Sequence, residues 1–277
     1  MDILILHGGV GSSGTLSPML NKYADESYRQ TAIESVINSV VLMEDNEIFN
    51  AGKGSYMRID KSIQMDAAVM IPGNFGSVVN IENVKNPVKV AYDVMLKSPH
   101  NMLSGDGAVK FARLLGYKNY DTSSEKAEKK YKEVIEKIKN NEIKEFNEMK
   151  KIIDINDLIG DTVGAVARIG NEFAAAVSTG GTSAMLRGRV GDSPLPGSGI
   201  YCDRKGAIVA TGIGEEIIKK KLCYRIYNDI GTMPLDENVK SKVDEFDIDV
   251  PIGIIAVTEN EYSVYANKDM AYGLKKL

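Results

Sequence analysis

The chain has 277 residues, 43% of them hydrophobic, enough for the core of one large domain or two small ones. Its net charge of −4 comes from intermixed acidic and basic residues, which argues against a nucleic-acid-binding surface. Cys202 and Cys223 form no CxxC and read as reduced thiols, and His7 and His100 lie far apart, so neither a disulfide framework nor a Cys/His metal site is expected.

Asp2 stands where a secretory signal would carry basic residues, and the apolar run after it is short. No segment reaches the roughly 20 apolar residues of a membrane helix. A soluble, cytoplasmic protein is expected. Ile3 to Leu6 reads as a buried strand stopped by Gly8-Gly9. From Tyr28 to Met43 the apolar residues Ala32, Val36, Ile37, Val40 and Val41 recur at helical spacing. Strand composition follows: Ala67 to Ile71 and Ser77 to Ile81, with a turn at Pro72-Gly73-Asn74. Asn86-Pro87 predicts a helix start with Asn86 as its cap, and a further helix is expected over Ala108 to Leu115.

Residues 121–153 are dense in Lys and Glu. Tyr131, Val134, Ile135 and Ile138 give only a thin apolar stripe, which predicts a solvated helix lying loosely on the domain. Strand pattern returns at Thr162 to Ile169 and Phe173 to Ser178, joined by a Gly170-Asn171 turn. A second hairpin is predicted around Asp203 to Gly206, then one helix from Glu215 to Tyr227 and another from Pro234 to about Phe246. A last hairpin joins Gly253–Thr258 to Tyr262–Ala266. Strand groups alternating with helix groups predict an α+β fold of antiparallel sheets flanked by helices.

Thr162 opens a strand directly after the charged segment. A threonine hydroxyl is a poor nucleophile in mid-chain. It becomes a good one if the peptide bond before it is cut, because the freed α-amine is then a local base. Cleavage of Asp161–Thr162 would leave fragments 1–161 and 162–277, with a linker over about 121–161 whose exposure would let the new terminus move clear.

Several blocks carry a resemblance in the same order along the chain. They are His7-Gly8-Gly9, Phe49 to Ser55, Met65-Asp66-Ala67, Asp161 to Val166, Ser178 to Gly181, Gly188 to Pro194 and Thr211 to Glu215. Together they resemble the N-terminal-nucleophile hydrolases of the isoaspartyl peptidase/plant-type asparaginase family, relatives of the glycosylasparaginases. The resemblance covers nearly the whole chain outside roughly 120–160.

That resemblance implies a four-layer αββα sandwich, one domain built from both fragments, and a dimer of cleaved protomers. It implies Thr162 as nucleophile and Thr179 as the threonine that tunes it; otherwise Thr179 is a strand-end residue satisfying its own turn. Arg189 and Asp192 would clamp a substrate's carboxylate and ammonium; otherwise they form a surface ion pair. Thr211 and Gly212 would form the oxyanion hole, with Gly214 leaving room for substrate and Asn50 near the site. His7 reads as structural. Asp161 before the nucleophile is closer to the glycosylasparaginase pattern, whereas Gly180 is closer to the isoaspartyl peptidase branch. In relatives a loop matching Met43 to Phe49 binds sodium through backbone carbonyls, here those of Met43, Glu44, Asn46 and Phe49. No other cofactor is implied.

The activity implied is hydrolysis of L-asparagine and β-aspartyl dipeptides. A glycosylasparaginase-like activity on N-glycan asparagine is the near alternative. A binding protein that never cleaves is the distant one. Neither a nucleic-acid nor a membrane partner is expected.

Overall fold

The central strands of the chain are apolar on both faces, and the layering follows from that. A computed structural model describes residues 2–140 and 162–277. Asp161, the predicted last residue of the first fragment, lies outside the described residues with the rest of 141–161. In β1 (Ile3–Val10), Leu4 and Leu6 enter one core while Ile3 and Ile5 enter another. In β5 (Val163–Ile169), Ala165 and Ala167 face the first core and Val166 the second. A period of two places successive side chains on opposite faces, so a run without polar alternation needs a partner layer on each side.

The larger sheet has seven strands in the order β11-β1-β5-β6-β2-β3-β4. Besides β1 and β5 these are β2 (Met65–Ile71), β3 (Asn74–Ile81), β4 (Met102–Ser104), β6 (Glu172–Thr179) and β11 (Met270–Lys276). Its pairings are antiparallel except β3 with β4. The smaller sheet has four strands in the order β10-β9-β8-β7, namely β7 (Ile200–Asp203), β8 (Gly206–Gly212), β9 (Ile252–Thr258) and β10 (Tyr262–Ala266).

Helices α1 (Ser17–Ser27), α2 (Ala32–Glu44), α3 (Pro87–Lys97) and α4 (Gly105–Leu114) cover the outer face of the larger sheet. Val36, Val40, Val90 and Val94 supply the apolar side of that contact. A second core lies between the two sheets, where Val177 and Ala175 meet Val209, Ile255 and Val257. A third core lies under α6 (Gly214–Lys220), α7 (Leu222–Asn228) and α8 (Leu235–Val243), where Ile217, Ile226 and Val239 meet Ile208 and Ile254. Three cores separate four layers, an α+β αββα sandwich. Each buried aliphatic side chain contributes about 1.5–3 kcal/mol relative to exposure.

Several local expectations differ from the structure. β1 runs through Gly8-Gly9 to Val10, because a register shift and positive φ at Gly9 (99°) let the strand bend without ending. Asn86 makes no side-chain cap; its amide donates instead to Asp45 Oδ1 at 2.9 Å. The helix expected over Glu215–Tyr227 is two, because Lys221 sits in the left-handed region at φ 49°. Helix α4 begins at Gly105, three residues before Ala108. Strand β11 follows the final hairpin and pairs with β1 in the other sheet.

The charged segment is also better seated than expected. Helix α5 (Glu125–Asn140) buries Ala127 and Val134. Its Tyr131 hydroxyl donates to the Ile59 carbonyl at 3.0 Å, and Lys126 lies over the Tyr56 ring at 5.1 Å. Both free cysteines, Cys202 and Cys223, are buried, and burial pushes both thiols well up.

Candidate active site

The start of β5 and the end of β6 lie side by side, since Val163 pairs with Ser178. That register sets Thr162 opposite Thr179, one residue beyond the paired strand. Their hydroxyls meet: Thr162 Oγ1 donates to Thr179 Oγ1 at 3.3 Å. The Gly181 N–H also donates to Thr179 Oγ1, at 3.0 Å. Across β6, Thr179 pairs with Asp66 of β2. From the second sheet, β8 ends at Gly212 on the same side.

A small pocket is lined by Thr162, Thr179, Gly181, Arg189, Asp192 and Gly212, with Thr182, Gly191 and Ser193 completing the wall. Its free space is about 10 Å³, room for one water. Thr211 is fully buried beside it, its Oγ1 accepting the Val10 N–H at 3.3 Å. Gly214 opens α6 against the side chains of Arg189 and Asp192. A Cβ there would come 2.8 Å from Asp192 Oδ1 and 2.9 Å from Arg189 Nη2.

Asn50 acts on backbone. Its Nδ2–H donates to the Gly181 carbonyl, its Oδ1 accepts the Tyr56 N–H at 3.0 Å, and its own carbonyl accepts the Gly180 N–H at 2.9 Å. It holds the 180–181 turn in place instead of lining the pocket. Gly180 leaves room for this contact, since a Cβ there would come 2.5 Å from Asn50 Oδ1.

Arg189 pairs with Glu215. Its Nε donates to Oε1 at 2.9 Å and its Nη2 to Oε2 at 2.7 Å, a bidentate fork. Burial works against the Arg189 charge, but the Glu215 carboxylate more than offsets it and holds the guanidinium above its ordinary value. Asp192 has the opposite environment. Burial pushes its carboxyl up to about 7, although the nearby Arg189 charge lowers it. Its Oδ2 has no hydrogen-bond partner among the described residues. A buried carboxyl oxygen on the pocket wall, short of a partner, is suited to receive an ammonium.

Two side chains that nothing in the sequence singled out brace the Arg189 loop. Arg58 is fully buried and donates from Nη2 to the carbonyls of Gln64 at 3.2 Å and Arg189 at 3.3 Å. Gln64 Oε1 accepts the Gly188 N–H at 2.7 Å. Asp66 and Glu215 lie within blocks that carry the resemblance. Burial raises Asp66, and the Asn80 N–H, 2.7 Å from its Oδ1, draws it back down.

The loop after α2 is built from carbonyls. A Cβ on Gly52 would overlap the Glu44 carbonyl, and one on Gly54 would overlap those of Phe49 and Glu47. The Met43 and Asn46 carbonyls each accept a backbone N–H at 3.2 Å. Backbone carbonyls crowd both glycines of this turn, and carbonyl oxygen is the donor type a hard cation takes. The Glu44 carboxyl beside it is pushed up to about 8 by burial, so it brings little charge near neutral pH. Among the described residues, no group of three His, Cys, Asp or Glu side chains could hold a metal. Among them, too, no helix is long and apolar enough to cross a membrane.

The chain is similar to known proteins over most of its length. A family model described as "Asparaginase" matches residues 4–270. A plant-type L-asparaginase from Pyrococcus furiosus is 35% identical, covering 100% of this chain and 97% of its own. An isoaspartyl peptidase/L-asparaginase from Xenopus laevis is 35% identical over 78% of this chain and 72% of its own. An N(4)-(beta-N-acetylglucosaminyl)-L-asparaginase from Elizabethkingia miricola is 37% identical over 68% of this chain, but only 53% of its own length is covered.

Proposed function

The chain belongs to the asparaginase family, and from that premise we propose that it hydrolyses L-asparagine and β-aspartyl dipeptides after cutting itself at Asp161–Thr162. The observation that carries the proposal is the Thr162–Thr179 hydroxyl contact, set in the pocket that Arg189, Asp192 and Gly212 share.

In the first step Thr162 Oγ attacks the Asp161 carbonyl carbon. The C–N bond breaks, the nitrogen keeps its own hydrogen and takes the one that left Oγ to become an amine, and an ester remains. Water hydrolyses the ester, freeing the Asp161 carboxylate and the Thr162 hydroxyl. The result is two fragments, 1–161 and 162–277, folded as one domain. The Thr162 α-amine, with a pKa of about 7.7–8.0 for such a group, is then neutral often enough to take the Oγ proton. As that proton leaves, the Thr179 hydroxyl can turn its own hydrogen toward Oγ. The Gly181 N–H on Thr179 polarises it for that role.

Catalysis repeats the chemistry on substrate. Oγ attacks the side-chain carbonyl of the aspartyl unit, and ammonia or an amino acid leaves with the proton from the α-ammonium. Water then releases aspartate. Arg189 holds the substrate α-carboxylate and Asp192 its α-ammonium. Thr211 and Gly212 face the developing oxyanion, where loss of one donor typically costs about 10²–10³ in rate. Asn50 and Gly214 serve the site by shaping its walls. A sodium ion in the loop after α2 would be held by the Glu44 and Phe49 carbonyls, with those of Met43 and Asn46 adjoining. It would supply a fixed positive charge that stiffens the turn leading to Asn50.

The α-carboxylate, α-ammonium and side-chain carbonyl are common to asparagine, β-aspartyl dipeptides and glycosylasparagine. A product assay on all three ranks them. Thr162→Ala tests the core of the proposal: no fragment starting at residue 162 and no ammonia release are expected. Retained hydrolysis would overturn it. Light scattering on the cleaved protein tests the proposed pairing of two protomers.

A further inference from the structure

His7 is fully buried within β1, where it pairs with Gly164, the last pair of the β1–β5 register. Thr162 lies two residues before Gly164, just ahead of β5 and outside that register. Both ring nitrogens of His7 have defined surroundings. Nδ1 accepts the Gly9 N–H at 3.1 Å, so its lone pair is engaged and the ring proton is on Nε2. Nε2 lies against β5, where a Cβ on Gly164 would come 2.5 Å from it. Glycine at 164 is therefore required by the ring.

Burial lowers the His7 pKa to about 3, while a contact with the Thr162 backbone raises it. A contact that favours the charged ring must be with an acceptor, and the backbone acceptor is the carbonyl. His7 is thus a neutral N–H donor beside the backbone of Thr162, two residues from its strand partner Gly164. Nε2 has no hydrogen-bond partner among the described residues. Three residues on, the Val10 N–H holds Thr211 Oγ1 at 3.3 Å. The end of β1 therefore touches both the residue proposed as nucleophile and the threonine proposed for the oxyanion hole.

We propose that His7 is a positioning residue for Thr162: its Nε2–H closes onto the Thr162 carbonyl once residue 162 becomes a chain end, and so aims the hydroxyl and the new amine into the pocket. This rests on Thr162 being the nucleophile. The physical need is specific to the cut chain. A terminal residue loses the restraint of the peptide bond before it, and chain ends fray unless tied down. A donor on the carbonyl restores the restraint on the side that survives cleavage. Because orientation of the reacting group affects the chemical step, the contribution belongs to kcat and not to KM.

The test uses the full chain carrying His7→Leu or His7→Gln. The mature fraction is measured by the mass of the fragment starting at Thr162, and rates are expressed per mature chain. His7→Leu is expected to lower kcat for asparagine at least tenfold, with KM within twofold. His7→Gln, whose amide nitrogen reaches the Nε2 position, is expected to recover most of that loss. A His7→Leu kcat within twofold of the unsubstituted chain would overturn the proposal, as would a loss that Gln does not rescue.

If His7→Leu does not fold, nitrogen-15 NMR of the histidine-labelled protein decides. Only His7 and His100 contribute signals. The His7 Nε2 proton should move downfield from the uncleaved Thr162→Ala chain to the mature protein, as the bond to the carbonyl closes. An unmoved resonance would show that the ring is merely packed. A second fragment starting elsewhere than Thr162 would sink the nucleophile reading and this proposal with it. A Thr162 start with an indifferent His7 sinks this proposal alone.

Discussion

Binding of a substrate ammonium by Asp192 makes the Michaelis constant depend on pH in a way that can be worked out. Burial sets the Asp192 carboxyl at about 7, against the pull of Arg189. Only the ionised form attracts an ammonium. A single titration at that value leaves roughly 90% ionised at pH 8, half at pH 7 and about 1% at pH 5. The substrate ammonium, with a pKa of about 8 or above, stays charged below pH 7. KM for asparagine should therefore rise about 50-fold between pH 7 and pH 5.

The Thr162 amine titrates near 8 and acts on kcat, so the two effects separate when kcat and KM are measured independently on mature protein by ammonia release. Asp192→Asn should show a high KM that no longer varies with pH. The same shift has a stability consequence of opposite sense to the usual carboxylate. Folded Asp192 keeps a proton that the unfolded chain has released, so its contribution to stability falls as pH rises from about 4 to about 7. A KM for the unsubstituted enzyme that stays flat from pH 8 to pH 5 would refute Asp192 as the ammonium's partner.

Glu215→Gln removes the fork that holds Arg189 and should raise KM several-fold with kcat little changed, read from initial rates. Because Glu215 is half exposed, stability should change by no more than about 1 kcal/mol in a denaturant titration. Gly164→Ala would press a methyl group onto His7 Nε2 and Val209, and overpacking of this kind costs about 1–3 kcal/mol, read as a lowered melting temperature. Val134→Asp places a charge under α5 at a position only 2% exposed. It removes at least the ~1.5–3 kcal/mol of a buried aliphatic side chain and should speed proteolysis within α5. Equal proteolysis of both chains would show that α5 is held by its polar contacts alone.

Much of the layering could be read from local pattern. The unbroken apolar runs of β2, β5, β8 and β9 announced strands buried on two faces, and the Gly170-Asn171 turn located the hairpin that brings Thr162 beside Thr179. Other features had no local signal. Nothing near Lys221 marks a break between α6 and α7. Met270 to Lys276 carries its apolar and charged residues without clean alternation, and only pairing with β1 makes it a strand. Arg58 and Gln64 look like loop residues in sequence, because their bonds go to backbone about 125–130 residues away.

By itself, the sequence determined which segments can be strands or helices and which residue types sit together in short blocks, because periodicity, turn residues and motif spacing act between near neighbours. The tertiary structure alone decided that Arg189 pairs with Glu215 instead of Asp192, that Asp192 is thereby left buried and short of a partner, and that the His7 ring packs against Gly164. Those outcomes depend on which surfaces meet when the two sheets stack. A charge's partner and a ring's tautomer are set by atoms brought close in space, whatever their separation along the chain.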